Sequence, residues 1–427
     1  MKLELGNIFI KDICFSSQTE IREGTLFVNK EALLAAIADE RLFCRDIHIV
    51  KPGESVRLCP VKDVLEPRVK VEGNGSIFPG FFGDYSMVGQ GRTHVLKGMA
   101  VVTLGTIVGF QEGIIDMSGP GAEYTPFSQT LNLVIDCDKN EGVNQHEHEE
   151  AIRLTGLKAT RYIAEAARDL VPDEIKIYET KSIPEQAAEF ADLPKIAYVY
   201  MLQTQGLLHD TYLYGVDVKR LLPTYLSPTE VMDGAIVSGN CVSACDKNTT
   251  YHHLNNPVIF DLYERHGIDL NFMGIVVTNE NVTLADKIRS SDFCAKLVAN
   301  LGVDGVIITE EGFGNPDTDL IMNCKKIEQA GIRTVLITDE YAGQDGASQS
   351  LADADLLADA VVSAGNANVI IVLPPMDKVI GFDEAANTIA GGFANSRRED
   401  GSIEVEIQAI IGATNELGFS SLGSIGK

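Results

Sequence analysis

The chain has 427 residues, 45% of them hydrophobic, enough for two or three domains with substantial cores. Its 35 Lys and Arg against 61 Asp and Glu give a formal net charge of −26, which disfavours nucleic acid or an anionic membrane as partner because like charges repel. No stretch reaches transmembrane length and no apolar signal segment opens the chain. The eight cysteines (Cys14, Cys44, Cys59, Cys137, Cys241, Cys245, Cys294 and Cys324) form no regular framework, so a reduced, cytoplasmic protein is expected.

Residues 1–145 read as a β-rich domain. Val69-Lys70-Val71, Val101-Val102-Thr103-Leu104 and Thr106-Ile107-Val108-Gly109 suit strands, Lys51-Pro52-Gly53-Glu54 and Gly73-Asn74-Gly75 punctuate them, and a helix is expected near 30–39. Gly89-Gln90-Gly91 precedes no helical pattern, so a nucleotide fingerprint is unsupported. Residues 146–427 read as an α/β domain, interrupted by a loop at 240/241. Helical periodicity over 151–170 is followed by short strands at 174–178 and 196–201. After the loop come a strand at 273–277, a helix over 284–301, a strand at 305–308, a helix over 318–330 and strands at 334–337, 360–362 and 369–373. Apolar runs with helices between them predict a doubly wound, mostly parallel sheet with helices on both faces.

Three strands end alike: Thr278-Asn279-Glu280, Thr309-Glu310-Glu311 and Thr338-Asp339-Glu340, which suggests one repeated strand–helix unit. Ligands of open parallel sheets bind beyond the carboxyl ends of the strands. Glu280, Glu310, Glu311 and Asp339 are therefore candidates for a substrate pocket, holding an ammonium or placing a general base. Capping of the following helices is the alternative, and Asn315 followed by Pro316 fits a cap locally. His146 and His148 are two apart, a spacing that does not put both rings on one helical face. Cys241, Cys245, His252 and His253 do not have a standard zinc spacing, so no metal is assigned. His252 or His253 better suits proton transfer near Cys241.

The loop Ser238-Gly239-Asn240-Cys241-Val242-Ser243-Ala244-Cys245 is small and polar. A thiolate at Cys241 can add to the Asn240 carbonyl and give a thioester by an N-to-S acyl shift. Elimination then leaves a dehydroalanine that hydrolyses to a pyruvoyl group at position 241. Gly239 would permit the backbone distortion such an attack requires. A turn followed by an inert buried thiol is the alternative that spacing alone leaves open.

Gly239-Asn240-Cys241-Val242-Ser243-Ala244-Cys245-Asp246-Lys247, Tyr251-His252-His253-Leu254-Asn255-Asn256-Pro257 and Glu310-Glu311-Gly312-Phe313-Gly314-Asn315-Pro316-Asp317-Thr318-Asp319 resemble one family. It is the precursor of the alpha and beta subunits of component B of the clostridial glycine, sarcosine and betaine reductases. Blocks at 108–119 and 205–211 extend the likeness over essentially the whole chain. The resemblance implies self-cleavage between Asn240 and Cys241, with a covalent pyruvoyl cofactor derived from Cys241 on the carboxyl-terminal fragment. It also implies a selenocysteine-containing partner subunit, a small amine substrate, and transfer of a carboxymethyl group to the component A selenoprotein, leading to acetyl phosphate. Because strands on both sides of the cut are expected in one sheet, the cleaved fragments are expected to stay associated. A non-catalytic α/β ligand-binding or scaffold protein with inert cysteines is the alternative. No residue distinguishes glycine, sarcosine and betaine.

Overall fold

A computed structural model describes residues 1–72, 76–239 and 243–417. Its central feature is a parallel sheet of strands β1 (Lys195–Leu202), β2 (Asn271–Asn279), β3 (Gly305–Thr309), β4 (Arg333–Glu340) and β5 (Val361–Asn366), in the spatial order β2-β1-β3-β4-β5. The short segment Thr224–Leu226 adds an antiparallel edge to β2. Alternation along β1 explains why both faces are covered. Ala197, Val199 and Met201 point into one core with Cys294, Val298 and Leu301 of helix α1 (Leu284–Leu301) and Leu320, Cys324 and Ile327 of helix α2 (Asn315–Gln329). Tyr198, Tyr200 and Leu202 point into the other, against Val258, Ile259 and Leu262 of the helix Pro257–Arg265. A period of two in the strand thus meets a period near 3.6 in each helix.

The sheet's helices begin and end where local chemistry allows. Thr283 accepts the Asp286 amide at the start of α1, and Gly302, in the left-handed region at φ 66°, ends it. For α2 the cap falls at Gly314, one residue before the expected Asn315, and the Asp317 carboxylate accepts the Gly314 amide at 2.7 Å. The stretch 341–360 between β4 and β5 is rich in Gly, Ser and Asp, which favour turns, and contains no helix. Beyond it one sequence expectation fails. The run Ile370–Leu373 leaves the sheet to pair antiparallel with Ile403–Glu406. Its exposure alternates residue by residue, as suits a strand with one wet face rather than one buried on both sides.

The amino-terminal part is β-rich. Lys2–Phe9 lies between Glu174–Glu179, antiparallel, and Gly91–Lys97, parallel. A second sheet runs Gly113–Asp116, Val56–Leu65, Met99–Leu104, Leu131–Lys139, Leu42–Val50. Three elements cross the 145/146 boundary drawn from the change of pattern along the chain. Glu174–Glu179 joins the first sheet, Lys378–Gly381 pairs parallel with Val56–Leu65, and the helix Gln145–Ala164 packs Ile152, Ala159 and Ile163 into the amino-terminal core. Among the described residues no helix is long and apolar enough to cross a membrane.

Candidate active site

The order β2-β1-β3-β4-β5 reverses direction at β1, so a crevice is expected where the carboxyl ends of β1 and β3 diverge. The four acids singled out by strand position come together there, all buried. Glu280 Oε1 accepts the Glu311 amide at 3.0 Å, tying the end of β2 to that of β3. The Glu311 carboxylate accepts the Gln203 amide at 3.2 Å, just beyond β1, and the Asn248 amide at 2.9 Å. Thr338 Oγ1 donates to Glu310 at 2.7 Å, and Thr414 Oγ1 donates to Asp339 at 2.7 Å. Gly312 makes this packing possible: its φ is +105°, and a Cβ there would lie 2.4 Å from Gln203 Nε2.

Further acids join the cluster. Asp246 and Glu416 are each 1% exposed, and Asn248 Nδ2 donates to Glu416 at 2.5 Å. Asp319 pairs with Lys287, and Asp317 sits at the start of α2. Asp246 lies in a block already conspicuous for its cysteines, and Asp317 and Asp319 follow Asn315 and Pro316 as acids that complement the dipole of a helix start. Glu416 carried no signal, because it follows no repeat and no regular element.

Burial is the main force on these groups. It pushes Glu280 well above the usual carboxyl range, with Glu310, Glu311 and Asp319 adding repulsion. It raises Glu311 to about 8 against the pull of the Asn248 and Gln203 amides, and Asp246 to about 7. Glu310, Asp339 and Glu416 are displaced upward for the same reason. The native site therefore holds protons that an unfolded chain would release.

A stability prediction follows from that sign. A carboxyl raised in the fold stabilises the native state fully below its ordinary value, and that contribution is lost as pH rises through the raised value. Each such group lowers the unfolding free energy by up to about 1.4 kcal/mol per pH unit within its window. The buried histidines act on the other side: His148 is held near 4 and His252 and His253 near 3 by desolvation, so they cost stability only as pH falls below their ordinary range. Thermal melts should accordingly show Tm falling from about pH 6.5 to about pH 8.5. Glu280→Gln, an isostere of the protonated acid that keeps an acceptor for the Glu311 amide, should flatten the slope; a Tm flat over that range in the native sequence would contradict the protonated cluster.

The loop carrying the thiol candidate leads to the same place. Ile236–Ser238 pairs antiparallel with Thr211–Leu213, and the Gly239 amide donates to Asp210 O at 2.6 Å. Glycine is required at 239 by close approach, since a Cβ would lie 2.1 Å from the His209 carbonyl oxygen; its backbone is not in the left-handed region. Asn240 and Cys241 lie outside the described residues. The chain is described again from Ser243, and Cys245, Asp246 and Lys247 are each buried. Lys247 Nζ donates to the Lys62 carbonyl and, at 3.5 Å, to that of Gly239. His252 and His253 lie in the short helix Thr250–Leu254, whose first hydroxyl accepts the Ser238 amide at 3.1 Å. His253 Nδ1 is 2.7 Å from Tyr200 OH, and His252 Nδ1 lies 2.9 Å from Thr249 Oγ1. Burial holds both rings neutral at physiological pH and makes them weak bases, so in this arrangement they act as hydrogen-bonding groups and do not readily take up a proton.

A family model described as glycine/sarcosine/betaine reductase component B subunits matches residues 1–424. The chain is 65% identical over 425 residues to the glycine reductase complex component B subunits alpha and beta of Acetoanaerobium sticklandii, with 99% of each chain covered. It is 57% identical to the sarcosine reductase complex component B subunit alpha of Peptoclostridium acidaminophilum, again over 99% of each. A more distant likeness, 24% over 78% of this chain and 54% of the relative, is to the D-proline reductase proprotein PrdA of A. sticklandii. No solved structure matches. A likeness this long and at this identity places the chain in the oxidoreductase family of glycine/sarcosine/betaine reductase component B subunits.

Proposed function

We propose that this chain is a proprotein that cleaves itself between Asn240 and Cys241, carries a pyruvoyl group derived from Cys241, and serves in reductive cleavage of the C–N bond of glycine. The observation that carries the reading is the position of the loop. Gly239 on one side and Ser243 to Lys247 on the other bring both ends of the 240–242 tract to the buried carboxyl cluster. The glycine reductase name of the 65% relative favours glycine over the secondary amine of the 57% relative, and the proprotein relative supports processing.

The residues around the loop fit such a group. Lys247 is a buried ammonium bonded to backbone carbonyls rather than to a carboxylate, including the carbonyl one residue before Asn240. It is placed to fix the peptide that must distort during the acyl shift and to favour negative charge developing nearby. A protonated acid such as Glu311 stands ready to give up its proton when a cationic amine arrives, making the pocket more anionic. A pyruvoyl group at position 241 would supply an electrophilic ketone carbonyl, which no ordinary side chain offers, for a substrate amine held beside the cluster. The selenolate that displaces nitrogen at the α-carbon comes from a separate selenoprotein subunit, which then carries the carboxymethyl group to component A.

Two measurements bear on this. Lys247→Met is expected to slow cleavage at 240/241 by about tenfold or more, read as the fraction of full-length chain over time after synthesis. For substrate, cyanoborohydride treatment of the cleaved protein with isotope-labelled glycine should add the label to the carboxyl-terminal fragment. Label on neither fragment, while a simple hydrazine still reacts, would rule out glycine as the amine taken up here.

A further inference from the structure

We propose that Cys245, Asp246 and Asp339 bind a divalent transition-metal ion of the zinc class. One donor atom from each lies within 4.8 Å of the others, and all three side chains are buried. The sequence could not show this set, because Asp339 ends β4 and is brought to the other two only by the fold.

Unsatisfied oxygens point to a ligand. Both carboxylate oxygens of Asp246 and Oδ1 of Asp339 are buried without a hydrogen-bond partner among the described residues. Leaving a buried carboxylate oxygen unpaired costs free energy, and two acids this close without a cation must share a proton. The remaining oxygen of Asp339 is oriented by Thr414 Oγ1 at 2.7 Å, the type of support that fixes a ligand from behind. The backbone of the Cys-Asp pair is fixed as well. Gly412 N donates to Ala244 O at 2.9 Å, Thr414 N to Cys245 O at 3.2 Å and Asn415 Nδ2 to Asp246 O at 3.3 Å. Residues 244–246 form a turn, which lets consecutive side chains converge as they do not in a strand.

Donor chemistry selects the ion. A thiolate excludes Mg2+ and Ca2+, which take oxygen ligands, whereas one sulfur with two carboxylates lies within the range of Zn2+. Cys245 Sγ lies 4.0 Å from Asp339 Oδ2, the oxygen that Thr414 also holds, and one donor atom from each of the three residues lies within 4.8 Å of the others. Tetrahedral coordination at bond lengths of about 2.3 Å for sulfur and 2.0 Å for oxygen puts such donors roughly 3.5 Å apart, so the three side chains must draw together by up to about 1 Å. Three protein ligands leave a fourth position open, the arrangement of sites that act on a further molecule rather than merely brace a fold. Binding converts the thiol to thiolate and the shared acids to carboxylates, releasing protons. The neighbouring Glu311 and Glu416, neutral while protonated, would favour a cation only on losing their protons, and the Lys247 ammonium beside Glu311 opposes it.

The inference does not depend on cleavage at 240/241 and is tested separately. The full-length protein, with both fragments together if it is cleaved, is stripped with a chelator and titrated with Co2+ alone. A thiolate-to-cobalt charge-transfer band should grow to about one equivalent and be bleached by Zn2+. Cys245→Ser should abolish the band. Asp339→Asn, which keeps an acceptor for Thr414, should fold normally and weaken Co2+ binding by about tenfold or more. In the unsubstituted protein Cys245 is buried and is reached only when the fold opens, so Zn2+ should slow its alkylation over a time course, read by peptide mapping, relative to that of the equally buried Cys294. Absence of a band in the unsubstituted protein, or a band that survives Cys245→Ser, would overturn the site.

Discussion

Cys241→Ala leaves the chain as a single polypeptide that never acquires a carbonyl. The acyl shift needs a nucleophile on the Cβ of residue 241, and alanine offers none, so cleavage falls by a factor on the order of 10^4 or more, in practice to nothing on an expression timescale. Cys241→Ser separates the chemistry from the fold. A hydroxyl can make the corresponding ester, and the same elimination leads to dehydroalanine and then pyruvoyl, but the hydroxyl is almost wholly protonated near neutral pH and must be activated by a base. Slow, partial processing is therefore expected for serine, with the same terminal group as product. Both variants should keep the Tm of the uncleaved chain, because the change is one small side chain. Gel mobility and intact mass over a time course check this. Cleavage at 240/241 in Cys241→Ala would mean that an outside protease, and not this residue, makes the cut.

The two fragments of the cleaved chain should co-elute as one species in native buffer at nanomolar concentration. The cut leaves β1 on the amino-terminal piece and β2 and β3 on the other, yet β1 lies between them, in register from Lys195 to Leu202 with β2 and from Ile196 to Tyr200 with β3. Separation would strip hydrogen bonds from both edges of β1 at once. It would also open the core in which Leu202, Leu213, Leu226 and Ile236 pack with Val258, Ile259, Leu262 and Ile275. Burying one such side chain contributes about 1.5–3 kcal/mol, and even this subset outweighs the cost of holding two chains together. Buried polar links add to the attachment. Asp63 accepts the Thr250 amide at 3.0 Å and hydroxyl at 2.7 Å, while Arg68 donates to Leu254 O at 3.1 Å and to Asn255 Oδ1 at 3.0 Å. Size-exclusion chromatography with intact-mass detection across the peak is the check. Two separate peaks without denaturant would contradict the shared sheet.

The parts legible in the sequence are those written as local periodicity. α1 is expected over 284–301 and spans those residues, because its apolar stripe, its threonine cap and its terminal glycine all agree. The repeated ends of β2, β3 and β4 placed Glu280, Glu310, Glu311 and Asp339 at one edge, since parallel strands of a doubly wound sheet share a direction. What escaped is whatever the tertiary fold alone decides. Ile370–Leu373 has the residue types of a buried parallel strand, and only the neighbouring Ile403–Glu406 makes it half of an antiparallel pair. Lys378–Gly381 joins a sheet whose other strands lie some 240 residues or more earlier, a pairing no local pattern encodes. Glu416 and Thr414 reach the acid cluster from a stretch with no repeating element. The convergence of Cys245, Asp246 and Asp339 is of the same kind.

A denaturing mass spectrum of the purified protein, with and without borohydride, tests the central claim most directly. The account predicts two fragments split between Asn240 and Cys241. The carboxyl-terminal one should have a mass short of a cysteine amino terminus by the difference between cysteine and pyruvoyl, and should gain the mass of two hydrogens on reduction. Two fragments split there but with an unmodified, borohydride-inert cysteine at the new terminus would contradict it.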